Sequence, residues 1–119
     1  MDKQGQALNA FNRYEEALMV FNQAIDLDPN DARAYSGKSS SLGALERYEE
    51  ALAASDQAIR LDPNLADSYH NKGVTLYYLK RYEEALAAFD QALRLDPNDA
   101  DAYTGKEELL RMLGHKGGA

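Results

Sequence analysis

A six-residue segment, Arg-Tyr-Glu-Glu-Ala-Leu, recurs along the chain at constant spacing. It occupies residues 13–18, 47–52 and 81–86, so each occurrence begins 34 residues after the one before. Each is followed at the same distance by Leu-Asp-Pro-Asn, at residues 27–30, 61–64 and 95–98. A fixed period of about 20 to about 50 residues is typical of stacked repeat units, and it constrains the fold more than any single residue does.

Each period contains two helical stretches. In the middle period, apolar residues recur at helical spacing from Ala32 to Leu45 and again from Tyr48 to Leu61. Pro63 is predicted to end the second helix, because proline lacks an amide donor and disfavours helical backbone at the residue before it. Asn64 is the predicted N-cap of the next helix, and Asn98 repeats the arrangement. Since one helix pair cannot bury its apolar side alone, we predict an all-α fold, an α-solenoid of antiparallel helix hairpins with about seven helices.

The period also predicts where the units begin and end. The predicted segments are residues 1–31 (a first unit with a truncated start), 32–65 (the second unit), 66–99 (the third unit), 100–114 (a C-terminal capping helix) and 115–119 (a disordered tail). Glu107 stands in the capping helix where the other units have Gly5, Ser39 and Gly73. Because a glutamate there cannot accept a closely packed helix, the capping helix is predicted to end the array.

Composition excludes several classes of function. The net charge is −7, and an acidic surface repels phosphate backbones, which argues against nucleic acid as a partner. The chain has no cysteine, so it has neither a thiolate metal site nor a cysteine nucleophile. No apolar segment approaches the roughly 20 residues that span a bilayer, and the N-terminus lacks the apolar core of a signal peptide. We therefore predict a cytoplasmic protein with no membrane partner.

No group of residues predicts catalysis. Asp67 precedes His70 by one helical turn and could orient it as a base, but no motif places a nucleophile beside the pair. The adjacent glutamates Glu15–Glu16, Glu49–Glu50 and Glu83–Glu84 point about 100° apart on a helix, which does not suit a shared metal ion. Each pair is predicted to open a helix, where negative charge is favourable. We predict that the chain is not an enzyme and uses no cofactor and no metal ion.

The repeat pattern resembles the tetratricopeptide repeat (TPR) family. The residues that carry the resemblance in the third unit are Tyr69, Gly73, Leu76, Ala85, Phe89, Ala92 and Pro97. The resemblance extends from residue 1 to about residue 113. It implies a right-handed superhelix with a concave groove, lined by the first helix of each unit, that binds a peptide segment of a partner protein.

Two departures from the family pattern bear on packing. Ser55 stands where the other two units have phenylalanine, so we expect the middle unit to be locally underpacked. The turn between paired helices, where the family usually has glycine, is expected at Asn12, Glu46 and Lys80. Glutamate or lysine with a left-handed backbone would cost about 1 kcal/mol.

The resemblance also predicts the groove. Its residues are expected to lie on the first helix of each unit and on the capping helix. They are Gln6, Asn9, Arg33, Ser36, Ser40, Asp67, His70, Asn71, Val74, Tyr77, Tyr78, Asp101, Thr104 and Glu108. Small residues of the middle unit beside Tyr77 and Tyr78 favour a pocket for a bulky side chain; alternatively, the small residues only set the curvature of the superhelix.

Many members of the family bind acidic EEVD-type tails of heat-shock chaperones through a clamp of lysine, arginine and asparagine side chains. The matching residues here are Asp2, Gln6, Gly37, Asp67 and Asn71, which disfavours such tails. The resulting prediction is a non-catalytic protein–protein interaction scaffold that binds a protein or peptide whose identity the sequence leaves open. The alternative is a structural module that self-associates by end-to-end stacking of repeats. We predict that the chain is a monomer or associates only weakly.

Overall fold

Residues 3–114 form six α-helices in a computed structural model, which describes this part of the chain and, from Ala10 onward, its side chains. The helices are α1 (Lys3–Leu27), α2 (Ala32–Ala44), α3 (Tyr48–Leu61), α4 (Ala66–Tyr78), α5 (Tyr82–Leu95) and α6 (Ala100–Met112). Each helix packs against the next along the chain, and α2 also packs against α4. The predicted all-α repeat fold is confirmed, with a helix number close to the predicted one. The predicted tail, residues 115–119, lies outside the described residues.

The first helix differs from the prediction. Residues 3–27 form one continuous helix, although the repeat pattern predicts a turn at Asn12. A continuous helix keeps the i→i−4 hydrogen bonds across Asn12 and avoids a left-handed backbone at that residue. As a result Glu15–Glu16 lie inside a helix, and the prediction that all three glutamate pairs open a helix is wrong for this pair.

The other two expected turns are present. Glu46 and Lys80 have φ of 61° and 62°, the left-handed backbone that glycine usually supplies. The Arg47 N–H donates to the Leu42 carbonyl at 2.9 Å and so closes a Schellman motif at the end of α2. The turn after α4 repeats this bond at the same length. The predicted left-handed turns are therefore confirmed at Glu46 and Lys80.

The helix starts lie one residue later than predicted. The N-caps of α4 and α6 are Leu65 and Asp99, where Asn64 and Asn98 were expected. The Asn64 N–H instead donates to the Asp62 carboxylate at 3.0 Å, and the same bond recurs before α6. The aspartate of each Leu-Asp-Pro-Asn segment thus holds a turn, which places the cap on the next residue.

The repeated Arg-Tyr-Glu-Glu segment lies at the start of α3 and of α5. Arg47 makes a two-pronged ion pair with Glu50, with N–O distances of 2.9 and 2.8 Å, and the hydrogen bonds lower the pKa of the Glu50 carboxyl. Arg81 and Glu84 repeat the pair. These pairs are exposed to solvent, which screens their charges, so they stabilise the helix starts only slightly.

The core follows the repeat register. Leu42 and Leu76 are almost fully buried at equivalent positions of α2 and α4, and in α6 Leu109, one residue before that register position, is fully buried. Ala51 and Ala85 are also fully buried, which allows α3 and α5 to approach the helices before them closely.

Phe89 shows how the array uses its small residues. A Cβ added at Gly73 or Gly105 would lie 2.8 or 2.9 Å from the Phe89 ring, so both positions require glycine while the ring is in place. Phe89 is buried, in contact with the helix before it and the helix after it. The Phe89 ring therefore packs α4, α5 and α6 against one another.

The middle unit is packed differently at the register position of Phe89, which is occupied by Ser55. Ser55 is fully buried, and its hydroxyl donates to the Leu52 carbonyl at 2.9 Å. The positions that correspond to the two glycines around Phe89 hold Ser39 and Asn71. Larger side chains thus surround a smaller central one. Local underpacking in this unit stays a prediction.

Ion pairs connect successive units on the outer side. Each joins a lysine of one unit's first helix to an aspartate of the helix before it. The pairs are Lys72–Asp56 and Lys106–Asp90, both at 2.8 Å. At the equivalent place between α1 and α2, Lys38 has Asn22 as its register partner.

Candidate binding groove

Three adjoining clefts run along α2, α4 and α6. Their volumes are about 620, 510 and 210 Å³. His70 lines all three, so the clefts form one continuous groove.

The predicted groove residues whose side chains are described all line this groove. In the first cleft they are Arg33, Ser36, Ser40, Asp67, His70, Asn71 and Asp101. The second cleft adds Val74 and Tyr78, and the third adds Tyr77, Thr104 and Glu108. Gln6 and Asn9 belong to the N-terminal half of α1, and their side chains lie outside the described ones.

His70 and Asp99 form the polar centre of the first cleft. The His70 Nδ1 lies 2.7 Å from the Asp99 Oδ2, and the other Asp99 oxygen accepts the Ala102 N–H at 3.0 Å. Burial opposes ionisation of Asp99, but the hydrogen bonds from His70 and from the Ala102 N–H outweigh it and lower the pKa of the carboxyl. Sequence reasoning missed Asp99 because it took Asn98 as the cap; an acidic cap facing the groove is the signal that could have found it.

Carboxylates dominate the charge of the first cleft. Asp67, Asp96 and Asp101 line it together with Asp99, and Arg33 is the arginine among its lining residues. Among residues 3–114, no three such side chains are arranged to hold a metal ion. The carboxylates that line the first cleft favour a cationic group there.

Asn71 is fixed across the floor of the groove. Its amide nitrogen donates to the Ser36 carbonyl at 3.1 Å and lies 3.3 Å from the Ser36 hydroxyl oxygen. These contacts join α4 to α2 and hold the amide in one orientation. The small residues of α2 thus have a structural role as well as leaving space.

The second and third clefts meet at an aromatic wall. Tyr78 stacks on Tyr48 with ring centroids 5.1 Å apart and an interplanar angle of 9°, and it meets Tyr77 edge to face. Tyr78 is 55% exposed, and Val74 beside it is also exposed. Tyr48 was missed by sequence reasoning, because it belongs to the repeated text that was assigned to packing.

The hydroxyl of Tyr77 is occupied within the protein. It donates to the Glu108 Oε1 at 2.9 Å, and this hydrogen bond, with burial, raises the pKa of Tyr77. Tyr77 therefore serves as a wall and a link between α4 and α6. The exposed ring of Tyr78 is the surface that a bound side chain would contact.

None of the helices within residues 3–114 combines the length and the apolar character that a membrane crossing requires.

Several solved structures share the fold. The TPR domain of Arabidopsis OM64 gives a TM-score of 0.82 at 25% identity, over 90% of this chain and 88% of that one. The first TPR of Spaghetti (RPAP3), bound to the HSP90 peptide SRMEEVD, gives a TM-score of 0.83 at 22% identity, over 93% of this chain and 88% of that one. The Sgt2 TPR domain from Aspergillus fumigatus gives a TM-score of 0.83 at 19% identity, over 98% of this chain and 78% of that one.

Sequence profiles agree with the structural comparison. The profile described as tetratricopeptide repeat matches residues 66–99, and the one described as TPR repeat matches residues 5–38 and 42–80. A search of curated proteins gives no significant match. The second profile alone extends over more than half of the chain, and the described helices have the fold of TPR domains. The chain therefore belongs to the tetratricopeptide repeat family.

Proposed function

We propose that the chain is a non-catalytic scaffold that binds an extended segment of a partner protein in the groove of α2, α4 and α6. The observation that carries this proposal is the continuity of the three clefts, which join carboxylates at one end to an exposed aromatic wall at the other. A groove of this kind can hold several side chains of one peptide in succession.

The charge of the groove favours a basic partner. Asp67 and Asp101 are exposed at the first cleft, and Glu108 lies in the third. A lysine or arginine stem can pack on the Tyr78 ring while its charged end lies near these carboxylates. The partner segment is therefore proposed to combine basic residues with a bulky apolar or aromatic one.

Acidic chaperone tails are the contrasting ligand. One structural relative is bound to the HSP90 peptide SRMEEVD. In this chain Asp67 and Gly37 stand at positions matched to the cationic clamp, and a carboxylate beside Asp67 repels an acidic tail. The proposal therefore excludes such tails as the preferred ligand.

The His70–Asp99 pair supports a binding role over a catalytic one. Its carboxylate is held by the helix start and by the imidazole, which resembles the orienting half of a nucleophile-activating group. Among the described side chains, however, no serine hydroxyl is hydrogen-bonded to His70. The imidazole is proposed to contact the peptide through its other ring nitrogen.

A peptide array with a fixed neutral background tests the proposal, with lysine, arginine, aspartate or glutamate placed at one position at a time. We expect the basic peptides to be selected, with dissociation constants of about micromolar order, as is typical of small interfaces. Fluorescence anisotropy of the best peptide then gives the affinity, and added salt weakens the binding. If SRMEEVD binds more tightly than every basic peptide, the proposed charge preference is wrong.

Matched charge variants locate the binding. The double variant Asp67→Asn with Asp101→Asn removes two carboxylates from first helical turns at the groove. Because each exposed charge pair contributes about 0.2–1 kcal/mol, removing two of them is expected to weaken the affinity for the basic peptide by about two- to thirtyfold. The control, Glu49→Gln with Glu83→Gln, removes two first-turn carboxylates outside the groove and leaves the affinity unchanged. Equal effects of the two double variants would contradict the groove assignment.

Exposed side chains at the two ends of the array bear on the alternative function, self-association by end-to-end stacking. Helix α1 exposes Phe11, Val20 and Leu27 to solvent at one end of the array. The other end does not match it, because α6 exposes Glu107 and Arg111. End-to-end stacking would place these charges on the exposed apolar side chains of α1, so the two ends match each other poorly.

A further inference from the structure

The third cleft has the size of a site for one side chain. Its volume is about 210 Å³, whereas sites for small molecules begin at roughly 300 Å³. Buried Phe89 lines it together with Gly105, where an added Cβ would lie 2.9 Å from the Phe89 ring. Tyr77 and Tyr78 add two further rings. A small cavity with aromatic walls suits a single side chain of a bound segment better than a separate small molecule.

The rings of this cleft are held in place by contacts within the protein. His70 lies 2.7 Å from an Asp99 oxygen and meets the Phe89 ring edge to face, with centroids 6.1 Å apart. Tyr78 stacks on Tyr48 with centroids 5.1 Å apart. Because these contacts order the rings before a ligand arrives, binding costs little additional side-chain entropy.

Two hydroxyl groups of the cleft use their hydrogens inside the protein. The Tyr77 hydroxyl donates to the Glu108 Oε1 at 2.9 Å, and the Thr104 hydroxyl donates to the Ala100 carbonyl at 3.2 Å. Each hydroxyl oxygen therefore offers the cleft only lone pairs, which accept hydrogen bonds. The second carboxylate oxygen of Glu108 accepts no hydrogen bond from the described residues, so it is available to a ligand.

The His70 imidazole also offers an acceptor. Burial opposes the ionisation of Asp99 and hydrogen bonds favour it; the net result is a lowered pKa, so the carboxylate only accepts and the His70 Nδ1 carries the shared hydrogen. The Nε2 of the neutral ring is then an acceptor. Among the described side chains that line the third cleft, the Tyr78 hydroxyl alone has a hydrogen that is not donated within the protein. The cleft thus consists mainly of acceptors, and two of them, Asp101 and Glu108, are carboxylates.

An arginine side chain matches this set of groups. Its guanidinium carries five N–H donors in one plane and no acceptor, and it is more weakly hydrated than the ammonium of lysine, so it loses less on entering an aromatic cavity. Thr104 and Glu108 are four residues apart on α6 and face the cleft from neighbouring turns. The guanidinium plane can lie on the Tyr78 ring while its edge donates to these two acceptors.

We propose that the third cleft binds the side chain of one unmodified arginine of the partner segment, with Glu108 as its principal acceptor. The proposal rests on the proposed function of the groove, because the arginine belongs to the segment bound there. It adds which basic residue is selected and where it lies. Methylation of arginine keeps the charge but blocks N–H donors, so the site is also expected to disfavour methylated arginine.

NMR titration with Nα-acetylarginine amide tests the site without a peptide. We expect the backbone amides of His70 and of Thr104 to Glu108 to shift, with a dissociation constant of about millimolar order for so small a ligand. Nα-acetyllysine amide and the dimethylated arginine amide are expected to bind at least about fivefold more weakly. Equal affinities of the arginine and lysine amides, or shifts confined to other parts of the chain, overturn the proposal.

Glu108→Gln and Glu107→Gln form a matched pair of variants. Both remove one negative charge from α6, but Glu107 is exposed and does not line the cleft. Glutamine at position 108 keeps an acceptor for the Tyr77 hydroxyl, and urea denaturation checks that the fold is retained. We expect Glu108→Gln to weaken binding of the arginine amide at least about fivefold and to abolish the preference over lysine, whereas Glu107→Gln leaves both unchanged. Equal losses in the two variants would show that only net charge is sensed, which overturns the proposal.

Peptides separate this proposal from the function on which it rests. In the best basic peptide from the array, each basic position is filled in turn with arginine or lysine. We expect a preference for arginine at one position, and Glu108→Gln should remove it. If the peptide binds in the groove but arginine and lysine are equivalent at every position, the arginine site is wrong and the function of the groove stands. If the array selects no peptide while the arginine amide still binds beside Glu108, the cleft binds arginine and the function of the groove is wrong.

Discussion

Replacement of Ser55 by phenylalanine tests how the middle unit is packed. The wider family pattern and the two other units have an aromatic residue there, so Ser55→Phe is a consensus change that would ordinarily be stabilising. Around Phe89 the ring fits only because Gly73 and Gly105 have no Cβ, which would lie within 3 Å of it. In the middle unit these positions hold Ser39 and Asn71. We therefore expect Ser55→Phe alone to destabilise the fold by about 1–3 kcal/mol, the usual cost of overpacking.

The double variant Ser55→Phe with Asn71→Gly shows how large the coupling free energy between the two positions is. Asn71→Gly alone loses the hydrogen bond to Ser36 and gains a helical glycine, which together cost about 1–2 kcal/mol. In the double variant the glycine removes one of the two obstructing Cβ atoms and allows the ring to be buried, which contributes about 2 kcal/mol. We expect the double variant to be at least as stable as Ser55→Phe, with a favourable coupling free energy of about 1–2 kcal/mol.

Urea denaturation of the four proteins, followed by circular dichroism, measures the coupling free energy. Adding Ser39→Gly completes the surroundings of Phe89 and is expected to raise the unfolding midpoint further. Additive free energies in the double-mutant cycle would refute the reasoning, since they would mean that Asn71 does not occupy the space of the ring. A stabilising effect of Ser55→Phe alone would show a void in the middle unit, as the sequence predicts.

Three further outcomes follow from the described contacts. Glu46→Gly and Lys80→Gly should each raise the free energy of unfolding by about 1 kcal/mol, because glycine adopts the left-handed turn without strain; a lower unfolding midpoint in urea would contradict this. Leu109→Ala should cost about 2–5 kcal/mol, since Leu109 is fully buried in the capping helix; a loss below 1 kcal/mol in the same assay would mean that α6 contributes little. The third outcome concerns the pH dependence of Asp99→Asn. Folding lowers the pKa of Asp99, so its stabilisation is present above its ordinary pKa of 3.8 and is lost as the pH falls through the folded value. The stability gap between the natural chain and Asp99→Asn should therefore narrow from pH 5 to pH 3, and a gap independent of pH would rule out this contribution.

Sequence reasoning works well where structure is set by neighbours within one unit. The ends of α3 and α5 follow from the repeated text, because Pro63 and Pro97 stop each helix wherever the unit lies in the array. The left-handed turns at Glu46 and Lys80 follow from register in the same way. Asn12 has the same register but remains helical. Its conformation depends on what packs against residues 3–12, which local sequence does not specify.

For the groove, too, contacts within a unit were predicted from the sequence and contacts between units were not. The first helix of each unit lines it, as the resemblance to the family implies, and the predicted side chains from Arg33 onward are all found there. The contacts that shape the groove chemically cross between units and were not predicted. His70 meets Asp99 of the next helix start, and Tyr78 stacks on Tyr48 from the preceding helix pair. Such contacts depend on the rotation between units, which the repeat pattern leaves unspecified.

The uneven ion pairing along the outer side has a consequence for how the array opens. Lysine–aspartate pairs link α3 to α4 and α5 to α6, whereas Lys38 has Asn22 as its register partner at the junction of α1 and α2. In a linear array, stability is close to a sum of unit and neighbour contributions, and the junction of α1 and α2 lacks the ion pair that the other two junctions have. We expect amide hydrogens of α1 and α2 to exchange with solvent faster than those of α5 and α6. A ligand that contacts Arg33 and Ser36 would slow this exchange. Hydrogen exchange in α1 and α2 would therefore report whether the groove is occupied.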